Sequence, residues 1–176
     1  SVNALLKILE EPNENIFFIL IHNNEKKILS TLKSRCLMFK INLSFEESIN
    51  ISNLLINDDI FKIINYDLIN YYSSPGEFIN LINFAEEKKI KLKEYNLIKF
   101  LKLLIDNSYY KKNKFVKKLI INYIELYFLK AYKLSNASNS LLSTYRNFLY
   151  KIHNNEIFNL DDETLFFEFK SKFLNE

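Results

Sequence analysis

Asn3-Ala4-Leu5-Leu6-Lys7-Ile8-Leu9-Glu10-Glu11-Pro12 opens the chain, Ile16-Phe17-Phe18-Ile19-Leu20-Ile21 follows, and Ser34-Arg35-Cys36 closes the same block. In the first stretch Ala4, Leu5, Ile8 and Leu9 recur at helical spacing, with Lys7, Glu10 and Glu11 around the other side. Pro12 ends that helix, and Pro12-Asn13-Glu14-Asn15 is a turn. The second stretch has no polar alternation. An apolar run of that length between turn signals predicts a strand buried on both faces, as in a parallel sheet. Glu25 to Leu32 reads as a short helix or turn, and Cys36 to Ile41 as a second strand with Leu37, Phe39 and Ile41 on one face. Residues 1–42 therefore read as one α/β repeat of a larger parallel sheet.

Everything after residue 42 reads as helix. Ser44-Phe45-Glu46-Glu47 is a capping box, in which the Ser oxygen accepts from the third helical amide and Glu47 reaches back. Its helix presents Ile49, Ile51 (or Ser52), Leu54 and Leu55 as the apolar face. Asn57-Asp58-Asp59 caps a second helix with Ile60, Ile63, Ile64 and Leu68 on its face. Ser74 and Pro75 start a third, burying Phe78, Ile79, Leu81, Ile82 and Ala85, because Pro suits the first helical position. Residues 43–90 thus form a small three-helix unit ending in the charged run Glu86 to Lys93. Longer amphipathic helices are expected over 95–107, 113–134, 138–154 and 161–174, within a third unit at 91–176. Val116, Leu119, Ile120, Tyr123, Tyr127 and Ala131 make the clearest stripe.

Composition supports a mostly helical reading. With 1 Gly and 2 Pro in 176 residues, the turn-rich all-β classes are disfavoured. Hydrophobic residues make up 48%, enough for a substantial core. A net charge of +3 is too small to argue for nucleic acid without a clustered basic face. The single Cys36 excludes an internal disulfide and a cysteine metal cage, which fits a reducing, cytoplasmic setting. No apolar run reaches the roughly 18 residues of a membrane span. Ser1 leads directly into a helical pattern with no charged leader, so no signal peptide is expected. The chain starts without Met and inside a motif, so a longer protein is expected.

The opening block and the linked Thr31-Leu32-Lys33-Ser34-Arg35-Cys36 resemble the clamp-loader ATPases of the AAA+ class, most closely the bacterial DNA polymerase III subunits of delta-prime type, with gamma/tau the near relative. The resemblance is dense over residues 1–40. Beyond it, residues 44–87 match the family's helical lid in layout, and 95–176 match its helical collar in character. It implies a mostly α fold: the C-terminal remnant of a parallel α/β AAA+ core (1–42), a three-helix lid (43–90) and an oligomerising collar (91–176). It also implies that Arg35 is an arginine finger, acting in trans on ATP bound by a neighbouring subunit with Mg. A fixed planar cation there stabilises charge on transferred phosphoryl oxygens and is worth roughly 10³–10⁵ in rate. Asn23 falls at the sensor 1 position facing the γ-phosphate, while Ser34 and Cys36 shape the corner that holds Arg35. The implied partners are the gamma/tau and delta subunits and, through the complex, the sliding clamp and primed DNA in the bacterial cytoplasm.

Two departures matter. The sensor 2 arginine at the start of the lid's last helix is Gly76 here, which favours a delta-prime-like stator over an ATP-hydrolysing gamma/tau subunit. No GxxxxGK[ST] loop and no acidic metal-binding strand occur, and both are expected before Ser1. A non-enzymatic helical adaptor is the reading from a different class. His22 has no partner carboxylate placed by spacing and reads as a strand-end residue. Glu10-Glu11 reads as an acidic helix end, and Cys36 as a small buried residue. The basic runs Lys88 to Lys93 and Lys111 to Lys118, with Tyr109 and Tyr110, read as solvated helix surface ahead of a stacking-plus-phosphate site.

Overall fold

The computed structural model describes residues 15–21, 29–135, 139–158 and 160–174. The chain divides into two compact units, Ser1–Asn42 and Leu43–Glu176. Within the first, the described regular structure is one helical turn, α1 (Ser30–Lys33). No strand occurs among the described residues, which corrects the expectation of a sheet remnant. Ile16–Ile21 is instead an exposed run with a two-residue alternation. Phe17, Ile19 and Ile21 are 91%, 88% and 96% exposed, while Ile16, Phe18 and Leu20 are near half. Leu37, Phe39 and Ile41 are exposed as well. The physical reason is that a strand is defined by its neighbours. An apolar run with no ladder partner has the side-chain period of a strand but neither its hydrogen bonds nor its covering layers. The opening helix, His22 and Asn23 lie outside the described residues.

The regular structure among the described residues of the second unit is all helical. Helix α2 (Phe45–Ile56) begins on the expected capping box: Glu47 N donates to Ser44 Oγ at 3.2 Å and Ser44 N donates to Glu47 Oε2 at 2.7 Å. Its buried face follows the expectation at Ile49 and at Ser52, the alternative to Ile51, and departs from it at Leu54 and Leu55. Ile49 and the two serines Ser48 and Ser52 are buried against α4, while Ile51, Leu54 and Leu55 are exposed. Small serines allow close backbone approach between the two helices, and Ser52 Oγ is satisfied by Ser48 O at 2.6 Å.

The second expected helix is split. Helix α3 (Ile60–Ile63), capped by Asp59 through Phe61 N at 2.9 Å, stops at an extended Ile64. A 3-10 turn, Tyr66–Leu68, then follows with Asn65 as its cap. The apolar spacing still works, because Ile60, Ile64 and Leu68 are all buried.

Helix α4 (Pro75–Glu87) carries Pro75 in its first turn and a second capping box, Ser74 with Glu77. It ends in a Schellman pair: Ile90 N donates to Ala85 O and Lys89 N to Glu86 O. Lys89 takes the left-handed position, φ 57°, usually given to glycine. A 3-10 turn, Leu92–Glu94, leads into α5 (Leu97–Asp106), and another, Tyr109–Lys111, into α6 (Lys114–Leu134). Helices α7 (Asn139–Phe158) and α8 (Asp162–Phe169) follow, with a π-helical turn Lys170–Leu174 completing α8. Asp161 caps α8 by accepting from Glu163 N and Thr164 N.

The core is built where these helices converge. Phe100, Leu101, Leu104 and Ile105 of α5 and Val116, Ile120, Ile124 and Phe128 of α6 are at most 1% exposed. Phe128, Phe148, Phe169 and Phe173 form an aromatic cluster with centroid separations from 5.2 to 6.4 Å, mostly edge-to-face or tilted. Ion pairs rim it: Lys151 holds Glu168 at 2.6 Å, and Lys170 pairs with Asp106. Tyr110 packs edge-on to Phe166 at 4.9 Å, and its buried hydroxyl, near Ser108, has no hydrogen bond of good geometry among the described residues. A buried unpaired hydroxyl contributes desolvation cost without return. Tyr110→Phe is therefore expected to unfold in urea at the same concentration as the parent or a higher one. A fall in midpoint worth ~1 kcal/mol would mean that the hydroxyl is bonded after all.

Candidate functional site

The arginine corner is built by a single turn of helix. Ser34 caps α1, with its amide donating to Ser30 O at 3.0 Å, and the Arg35 amide donates to Leu32 O at 3.1 Å. The carbonyl of Thr31 then receives two side chains at once: Ser34 Oγ at 3.1 Å and Arg35 Nη1 at 2.9 Å. This back-bonding orients the guanidinium relative to the turn while leaving the residue exposed. Cys36, the only cysteine, is half-buried behind it. The structure thus brings Ser34 and Arg35 together on one acceptor and sets Cys36 next to them. Asn23 lies outside the described residues. An exposed, planar, always-charged fork is suited to meeting phosphate oxygens that belong to another molecule.

Gly76 is the second residue of α4 and exposed. A Cβ built there meets nothing within 4 Å, so a longer side chain fits without displacing a neighbour.

Several lysines of the basic runs are ion-paired. Lys111 pairs with Glu163 and Lys117 with Asp162, both at 2.6 Å, and Lys118 lies 3.6 Å from Glu77. Tyr109 is edge-on to Phe84 at 5.5 Å with the Lys88 ammonium over its ring, and Tyr110 is buried. Among the described residues no group of His, Cys, Asp and Glu could hold a metal ion, and no helix is long and apolar enough to cross a membrane.

One polar node escaped the reading of the sequence. Asp67, in the 3-10 turn, accepts from Leu97 N at 2.7 Å and from Lys130 Nζ at 2.5 Å. Burial pushes its carboxyl pKa up, but these bonds and the Lys130 charge outweigh that and hold it below the ordinary value. The partners stand 30 and 63 residues away, so no local spacing announces them.

Comparison with known proteins agrees with the opening motif. A family model described as "DNA polymerase III, delta subunit" matches residues 1–44. The DNA polymerase III subunit delta' of Buchnera aphidicola subsp. Schizaphis graminum is 35% identical over 169 residues, covering 90% of this chain and 50% of that protein. The delta' subunit of Buchnera aphidicola subsp. Acyrthosiphon pisum is 28% identical over 86% of the chain and 49% of its own length. The gamma subunit from the Schizaphis graminum strain is 55% identical, but over 49 residues, 28% of this chain and 14% of that protein. No solved structure matches. The chain spans about half the length of these delta' relatives, and along 86–90% of its own length it is similar to delta' subunits of DNA polymerase III.

Proposed function

We propose that the chain works in a clamp loader as a delta-prime-like stator, a subunit that contributes to a neighbour's chemistry. Arg35 reaches ATP held with Mg by a neighbouring subunit, and Asn23 sits at the sensor 1 position of its own core. The helices of 91–176 assemble with the gamma/tau and delta subunits, and the complex uses ATP to place a sliding clamp on primed DNA in the bacterial cytoplasm. Residues 1–42, 43–90 and 91–176 are the end of the AAA+ core, the lid and the collar. The observation that carries this reading is the arginine corner: an exposed guanidinium braced by Thr31 O, in a chain similar to delta' subunits along most of its length. The test is steady-state ATP hydrolysis by an assembled complex carrying Arg35→Ala.

The local 55% identity to a gamma subunit favours a second reading, an ATP-hydrolysing gamma/tau-type subunit. Gly76 separates the two. If the chain is a stator, an arginine added at the sensor 2 position has no chemistry to serve. Gly76→Arg in the complete protein is expected to leave ATPase of the assembled complex within about twofold, well under the ~1.4 kcal/mol of barrier that tenfold represents. Gly76→Ala should do the same while raising stability by about 0.4–1 kcal/mol, since helical glycine is costly and the space is open. Loss of turnover in either variant would favour the gamma/tau reading.

A further inference from the structure

The second unit contains a seam between the helices before Lys88 and those after Leu92. Backbone contact across it occurs where α3 passes the Leu92–Glu94 turn. Two bonds reinforce that point: Asn65 Nδ2 donates to Lys93 O at 3.0 Å, and Lys93 Nζ donates to Phe61 O at 2.6 Å. Farther along, the seam holds a cavity of about 20 Å³, room for one water, between Leu68, Phe78, Leu119 and Tyr123. Asn70, Ser73 and Asn122 also line it, so the packing there is not dense.

Between these two places stands the Tyr66–Leu68 turn. Its carbonyls accept from α6 residues seven apart, Lys130 Nζ to Asp67 O at 2.6 Å and Tyr123 Oη to Leu68 O at 3.2 Å. The Asp67 carboxylate adds Lys130 again and the Leu97 amide. That amide belongs to the first residue of α5 and has no acceptor within its own helix. One side chain therefore ties the turn, the start of α5 and the last third of α6.

We propose that the seam is a hinge and that Asp67 is the pin that sets its angle. Apolar contacts such as Leu68 and Phe78 hold the two helical groups together, but they are non-directional. The carboxylate, with fixed hydrogen-bond geometry to two elements besides its own turn, selects one orientation. Its removal frees the Leu97 amide and cuts Lys130 back to its bond with the Asp67 carbonyl, which leaves the groups in contact with a looser angle between them. This inference does not rest on the role of Arg35.

The test uses the full chain with Cys36→Ser and spin labels on cysteines at two exposed positions, Asn50 of α2 and Tyr150 of α7. The parent should give one narrow inter-label distance distribution. Asp67→Ala and Lys130→Met should each widen it at least twofold without loss of helical circular dichroism, and the double variant should be no wider than the broader single one. Exchange of the Leu97 amide should accelerate at least tenfold in Asp67→Ala. If Asp67→Ala does not fold, Lys130→Met decides alone. An unchanged distribution in a folded variant overturns the proposal, as does a double variant in which the two widenings add.

Discussion

Arg35→Ala is expected to lower clamp- and DNA-stimulated ATP hydrolysis of the assembled complex by tenfold or more, while the variant still joins the complex. The size follows from the chemistry. Tenfold is only ~1.4 kcal/mol of barrier, and arginine fingers supply roughly 10³–10⁵ where the site they serve limits the rate. That the fold is spared follows from the geometry. Arg35 is exposed, its side chain donates to Thr31 O on the same turn, and the Ser34 and Arg35 amides bond within that turn through the backbone. An exposed substitution of this kind stays within about 0.5 kcal/mol, or a shift of melting temperature under about 2 °C. Arg35→Lys keeps the charge but loses the planar fork, so its activity should fall between. The measurement compares ATPase and clamp loading for the parent, Ala and Lys proteins, with assembly checked by gel filtration. Parental activity in a properly assembled Arg35→Ala complex would leave Arg35 as a structural residue of its turn.

Phe169→Ala should produce the largest stability loss, about 3–5 kcal/mol. Phe169 is fully buried and meets Tyr127, Phe128, Phe148 and Phe173 with centroids between 5.3 and 5.9 Å. Truncation leaves a cavity that four rings from three other elements cannot all collapse into, so the transfer and cavity costs add. Against a typical total of about 5–15 kcal/mol, that is a large share. Phe167, two residues away and 41% exposed, is the control: Phe167→Ala should cost far less. Urea unfolding of both variants decides the matter, and equal midpoints would show that the aromatic cluster is not the centre of stability.

The arginine corner was legible because its determinants are local. Ser34 and Arg35 reach a carbonyl three and four residues back, within the span that a motif covers. The caps were legible for the same reason. Ser44 with Glu47 and Ser74 with Glu77 each close over three residues. The period of Val116, Leu119, Ile120 and Tyr123 located the buried side of α6, since a helix repeats its face regardless of what covers it.

What the tertiary structure decided is whatever needs a second segment. Ile16–Ile21 has the composition of a buried strand, but strand identity and burial come from partners, and the run is exposed. On α2 the sequence offered Ile51 or Ser52 beside Ile49, Leu54 and Leu55; the fold buried Ile49, Ser52 and also Ser48 and left Leu54 and Leu55 exposed, because closeness to α4 favours small side chains over greasy ones. The end of α4 carried no glycine signal, since Lys89 occupies the left-handed position under the hold of the Schellman bonds. Asp67 depends on partners 30 and 63 residues away. Residues 1–134 as a bare string contain all three members of that node, but only the fold places them within a hydrogen bond of each other. Local hydrogen bonds and helical periodicity are written in the sequence itself; pairing, exposure and long-range ties exist only once the chain has closed on itself.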